Sequence, residues 1–187
     1  MLPDAGAQSK TGIENYNMLR PGNEYAWMPV LHHQGKRGLY SEMRYNYEAP
    51  KTASVYLGKS FSKEGVLSYD LVPMGGIVFG EYTGASLALN AGAEYAKLFL
   101  SSQSQYTVNR HERSEVFFFN WSEIGYQPLK WLYAGVSMQL TKTYHTALIP
   151  EYGLMAGVVI GRVTIPVYIF NPLGGNKNYI IGINAEW

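Results

Sequence analysis

The chain has 187 residues, no cysteine and a formal net charge of +1. That is one domain's worth of chain, long enough to hold a core without disulfide staples, and so small a charge leaves no electrostatic basis for a nucleic-acid partner. Charged residues make up only 16% and aromatics 14%, with 16 tyrosines and 20 glycines, a balance that suits a β-barrel with aromatic girdles and tight bends. Mean hydropathy is −0.15, and no apolar run reaches the roughly 18 residues a membrane helix needs. Membrane-spanning strands stay open, because half of each such strand faces a polar lumen.

Taken in order, residues 1–22 are polar and read as a tail, with one weak extra strand around Ile13–Leu19. Met1-Leu2-Pro3-Asp4 lacks the basic start and apolar core of a secretory leader, so an outer-membrane reading expects a chain already trimmed of one. The barrel domain is expected over 23–187. Glu24–Gln34 is its first clear strand, with Pro29 awkward in the middle, and residues 35–38 form a turn. Leu39–Glu48 has two faces: Leu39, Met43, Tyr45 and Tyr47 on one, Glu42, Arg44, Asn46 and Glu48 on the other. Thr52–Phe61 alternates next. Val66–Phe79 is longer and is expected to bend at Pro73 and Gly75-Gly76.

Ala85–Val108 reads as two strands with a turn near Glu94, or as one bulged strand. Glu115–Tyr126 follows. Trp131–Tyr144 sends Leu132, Val136 and Met138 to one face and Ser137 and Gln139 to the other. Leu148–Ile160 is apolar on both faces, and Val163–Phe170 alternates. The last stretch, Tyr179–Trp187, puts Tyr179, Ile181, Ile183, Ala185 and Trp187 on one side and Asn184 and Glu186 on the other. A period of two defines a half-apolar strand, and a terminal strand ending in an aromatic is the usual closing strand and assembly signal of an outer-membrane barrel. Eleven candidates result, whereas a single-chain bacterial barrel needs an even number. Merging Ala85–Val108 gives ten; promoting Ile13–Leu19 gives twelve. We expect a closed antiparallel up-and-down transmembrane β-barrel, all-β, of about ten strands, with 8–12 as the range.

Several segments carry a resemblance: Tyr45–Glu48, Tyr56–Phe61, Leu71–Gly80, Ser101–Tyr106, Asn120–Glu123 and Val167–Pro172. The chain from about Glu24 onward resembles a family of uncharacterised outer-membrane β-barrel proteins of Bacteroidetes and related Gram-negative bacteria. The resemblance implies location and shape; it implies no catalytic residue.

Constellations of chemical groups are weak. His32 and His33 are adjacent on a strand and point to opposite faces, so they cannot easily share a metal. Ser137 and His145 are eight residues apart along a strand, about 26 Å, too far for a hydrolase pair. Ser114, Glu115 and His111 share a charged loop, where such triplets arise by chance. Gly75-Gly76 and Gly174-Gly175 lack phosphate-loop spacing. No enzyme activity, cofactor or metal is therefore expected.

The lumen is expected to hold Glu42, Arg44, Asn46, Glu48, Asp70, Glu94, Gln139, Asn184 and Glu186. Arg44 and Lys97 should face inward or sit at a rim, because a lipid-facing cation at the midplane costs about 2–4 kcal/mol. These residues could line a narrow pore or pair across the interior and plug it. The expected place is the bacterial outer membrane. The expected partners are its lipid, the barrel-assembly machinery acting on the C-terminal strand, and a larger outer-membrane complex in which the chain is a structural or accessory subunit. The alternative is a soluble lipocalin-like barrel with its apolar faces turned inward around a small ligand.

Overall fold

The computed structural model describes residues 9–22, 24–110, 116–143 and 146–187. Its strands are β1 (Lys10–Arg20), β2 (Glu24–Gln34), β3 (Leu39–Tyr45), β4 (Thr52–Lys59), β5 (Phe61–Lys63), β6 (Leu67–Gly80), β7 (Gly84–Tyr95), β8 (Leu98–Asn109), β9 (Val116–Leu129), β10 (Leu132–Thr143), β11 (Ile149–Ile160), β12 (Val163–Phe170) and β13 (Asn178–Glu186). Each pairs antiparallel with its chain neighbour, β4 continues onto β6, and β1 pairs with β13. The sheet therefore closes and exposes no edge, the condition lipid imposes on any spanning sheet.

β4 and β5 are one strand. Gly58 pairs with Met74 and Phe61 with Leu71 in unbroken register. The gap falls where Pro73, which has no N–H to give the ladder, stands opposite. The circumference thus counts twelve strands. Ten was the expectation, and two segments account for the difference. Lys10–Arg20 is a full strand paired on both sides, not a tail before a barrel that starts near residue 23. Gly84–Tyr95 and Leu98–Asn109 are two strands joined through Ala96, whose φ of 53° makes the tight turn without glycine.

Alternation is set by the pleat. Ile181 and Ile183, each 51% exposed, point outward, while Ile180 is buried and Asn184 turns inward onto Tyr16. The same phase turns Leu39, Met43, Leu57, Leu89, Val136 and Leu154 outward. Aromatics gather outside at both ends of the wall. Tyr95, Tyr126, Trp131 and Trp187 stand at the end where β1 begins and β13 finishes, here the near end; Tyr25, Trp27, Tyr106 and Tyr152 stand at the far end. This is an apolar belt between two aromatic girdles, the outside of a membrane barrel. A lipocalin-like barrel would turn these faces inward, so that alternative is not supported.

Some outward positions are polar. On β8 and β9, Ser102, Ser104, Asn120 and Ser122 face out and satisfy one another, with the Asn120 amide donating to Ser102 and Ser104 at 3.0 and 2.9 Å. Large rings fit where a neighbour lacks a side chain. A Cβ on Gly76 would stand 2.4 Å from the Tyr56 ring and 2.6 Å from the Val55 carbonyl oxygen.

Candidate functional site

The site is the lumen, and its two halves differ. The far half is filled. β3 stops at Tyr45 because its ladder with β2 ends at Pro29; the Asn46 amide then donates to the Trp27 carbonyl at 2.8 Å, and Asn46 adopts φ 59°. Residues 47–49 consequently dip into the barrel mouth. Tyr47 meets Phe119 of β9 edge-on, ring centres 5.9 Å apart, and burial pushes its hydroxyl above the ordinary phenol range. Glu48 accepts from Gln105 of β8 at 2.6 Å and from the Tyr56 hydroxyl at 3.2 Å. Tyr82, from residues 81–83, is buried beside Val78 and Phe117, and its hydroxyl donates to the Thr107 carbonyl at 3.2 Å.

Beneath this stopper lies a charged knot. Arg44 donates to Glu42 and, at 2.8 Å, to Gln105 across the lumen. Its guanidinium lies over the Tyr47 and Tyr56 rings at 5.1 and 4.7 Å, a cation–π arrangement. Glu42 also accepts from Tyr40 at 2.8 Å and from Asn90 at 3.1 Å. Burial of such a pair is tolerable only when its remaining hydrogen-bonding capacity is used, and these partners use it.

At mid-height Trp121 of β9 reaches Tyr16 of β1, ring centres 5.2 Å apart, with Tyr168 at 5.0 Å. Four strands, β10 to β13, separate β9 from β1 around the wall, so this contact nearly spans the barrel. Below it the near half opens into a vestibule of about 240 Å³ lined by Glu14, His32, Glu123, Arg162, Asn184 and Glu186, among others, with Tyr16 and Trp121 at its floor. Glu14 accepts from Tyr16 at 2.9 Å and stands 3.7 Å from His32; Ser101 donates to Glu123 at 3.2 Å.

Of the residues expected in the lumen, Glu42, Arg44, Glu48 and Gln139 are buried inside it. Asp70 faces in and accepts from Ser60 at 2.6 Å. Glu94 and Glu186 keep the inward phase but sit exposed at the near rim. Asn46 does not belong there: it is a turn residue bonded to the wall's backbone. Tyr47, expected on the outward face of a strand running to Glu48, swings inward once that strand ends. Of the assembly-signal positions, Tyr179, Ile181, Ile183 and Trp187 are exposed on the outer face, with Ala185 partly covered. Lys97 sits in the near-end turn and donates to the Pro128 carbonyl. Ser137 accepts from the Trp121 indole at 2.8 Å, whereas His111, Ser114, Glu115 and His145 lie outside the described residues. His32 faces the vestibule and His33 the outside, bonded to Thr11 at 2.8 Å. Glu14, Tyr16, Trp121, Glu123 and Gln105 were not expected. Period-two phasing of Glu115–Tyr126 could have flagged Trp121 and Glu123, both on its inward face.

Closed, girdled and apolar outside, the fold is that of a bacterial outer-membrane β-barrel, porin-like in class. Among solved structures it is similar to the KdgM porin, at 14% identity and TM-score 0.67 over 93% of this chain and 98% of that one. It matches KdgM in complex with disordered oligogalacturonate equally well. The NanC porin is similar at 11% identity and TM-score 0.65, over 92% of this chain and 98% of that one. No family model and no curated protein matches the chain.

Proposed function

We propose that this protein is a narrow outer-membrane pore, shut in the present conformation by its own side chains and two short far-end loops. The observation that carries this reading is the composition of the stopper. Eight strands give a lumen that side chains can fill, and 16–18 leave an open channel; twelve lie between. Here the lumen is crossed by a few side-chain contacts, among them Tyr47 to Phe119, Arg44 to Gln105 and Tyr16 to Trp121. The stopper is also incompletely satisfied: the Tyr47 hydroxyl and Glu48 Oε2 are buried without a partner. Each such group costs about 1–3 kcal/mol, which lowers the cost of swinging the loop out.

The likeness to KdgM and NanC supports a pore over an accessory subunit. The oligogalacturonate belongs to that KdgM structure and is not carried over. The resemblance to Bacteroidetes barrels supports the same location. Short connections such as residues 96–97 and 161–162 mark the near end as the periplasmic side by the usual rule. The assembly machinery would read Tyr179, Ile181, Ile183, Ala185 and Trp187 on the outer face of β13.

Planar-bilayer recording tests the proposal. The wild type should show small, infrequent openings, and Tyr47→Ala with Trp121→Ala should show sustained conductance. Silence from both, with each barrel folded by its heat-dependent gel mobility, would leave a closed structural barrel and reject the pore.

A further inference from the structure

The sign of the charge on the inner wall is uneven. Glu14, Asp70, Glu94, Glu123, Glu151 and Glu186 all occupy inward positions of their strands. Among the described residues the cations at inward strand positions are Lys10 and Arg20, at the two ends of β1, and Arg44, which is held by Glu42. Lys36, Arg37, Lys59, Lys97 and Lys130 lie in turns or on outward positions. The chain's net charge of +1 thus hides a separation, with anions in excess on the inner wall among the described residues.

The vestibule concentrates this asymmetry. Glu186 at its rim is shared by Lys10 at 3.4 Å and His32 at 4.0 Å, and Arg162 also stands at the rim. Deeper in, Glu14 has His32 as its one ion-pair partner among the described residues, and Glu123 has no ion pair among them. Two further atoms of the same lining, His32 Nδ1 and Asn184 Oδ1, are buried without a hydrogen-bond partner. A cavity of about 240 Å³ therefore presents two carboxylates held mainly by neutral donors, Glu14 by Tyr16 with His32 at 3.7 Å and Glu123 by Ser101, closed behind by Trp121. Glu14, Glu123 and Glu186 outnumber Arg162 in this lining, and a cleft in which one sign of charge prevails between low-dielectric walls enriches counter-ions about 10- to 1,000-fold.

We propose that this vestibule admits small cations, meaning alkali ions and small ammonium-bearing solutes, and turns away solutes carrying carboxylate or phosphate. The assignment names a solute class for the proposed pore and rests on that reading for passage across the membrane; attraction into the vestibule is tested without conduction.

The chain has no cysteine, so one can be placed cleanly. Thr164→Cys lines the vestibule, and Val66→Cys, at a near-end turn position 84% exposed, is the outside control. The probes are a trimethylammonium and a sulfonate methanethiosulfonate of similar size, applied to the folded barrel in detergent. The cationic-to-anionic rate ratio at position 164, divided by that at 66, should be about tenfold or more. Glu14→Gln with Glu123→Gln should bring it close to one; if that pair does not fold, Glu123→Gln alone should lower it severalfold. A normalised ratio of one or less, a ratio untouched by the glutamine substitutions, or no reaction with either probe would overturn the inference. A silent bilayer beside a high ratio would instead reject the pore and leave the cation vestibule standing.

Discussion

Arg44 shows how much a single side chain decides in this lumen. It is 3% exposed and joins Glu42, Gln105 and two aromatic rings. Truncating it strands Glu42 in a site with little water. Removing one partner of a buried pair costs about 3–5 kcal/mol, so Arg44→Ala should lower the temperature at which the barrel unfolds in gel-mobility assays far more than Lys51→Ala does. Lys51 meets Glu81 at 3.7 Å with its side chain 80% exposed, where a pair is worth about 0–1 kcal/mol. Equal losses for the two would contradict the burial of the knot. Arg44 and Glu42 were legible from the sequence because three charges on one strand face need either water or a polar interior. Glu48 was placed inside for the wrong local reason. It lies beyond the strand, in a loop that enters the lumen because Pro29 ends the β2–β3 ladder, and a proline on a neighbouring strand leaves no mark on the alternation of Leu39–Glu48.

At the scale of elements, legibility followed the outer face. β10 and β13 alternate apolar and polar residues cleanly, and their phases are those observed. β1 inverts the rule in its middle: outward Asn15 and Asn17 accept from the Trp27 indole and the Tyr25 hydroxyl, while inward Tyr16 and Met18 join the lumen-crossing aromatic cluster. The pairings that make those positions tolerable lie on another strand, so the segment looked like a tail. The choice between two strands and one bulged strand over Ala85–Val108 stayed open partly for a related reason: Ser102 and Ser104 face outward and find partners on β9. Depth along a strand is testable. Leu89 sits mid-strand on β7 and Leu39 begins β3 at the near rim. Leu89→Arg should cost about 2–4 kcal/mol and Leu39→Arg about 0–1 in folding titrations into lipid. Similar costs would deny that the belt meets hydrocarbon. Gly76→Ala forces a Cβ into the Tyr56 ring and the Val55 carbonyl; overpacking of this kind costs about 1–3 kcal/mol, readable in the same titrations, and Tyr56→Leu should relieve part of it.

For the whole molecule, the closed sheet, the belt and the girdles could be read from period-two patterning, aromatic content and the terminal strand. Strand number, the stopper and the vestibule could not, because they depend on which residues meet across the lumen. Tyr16 and Trp121 are separated by more than half the chain, and nothing local to either marks the other. The account rests on one orientation, apolar side chains toward lipid and hydrophilic ones enclosed. The most direct measurement is a cysteine and spin-label scan along β13 in lipid vesicles, reading collision rates with oxygen and with a water-soluble nickel chelate. Labels at 179, 181 and 183 should collide preferentially with oxygen, and labels at 180, 182 and 184 should lose that preference, in strict alternation. The opposite phase, or equal nickel access at every position, would contradict the account.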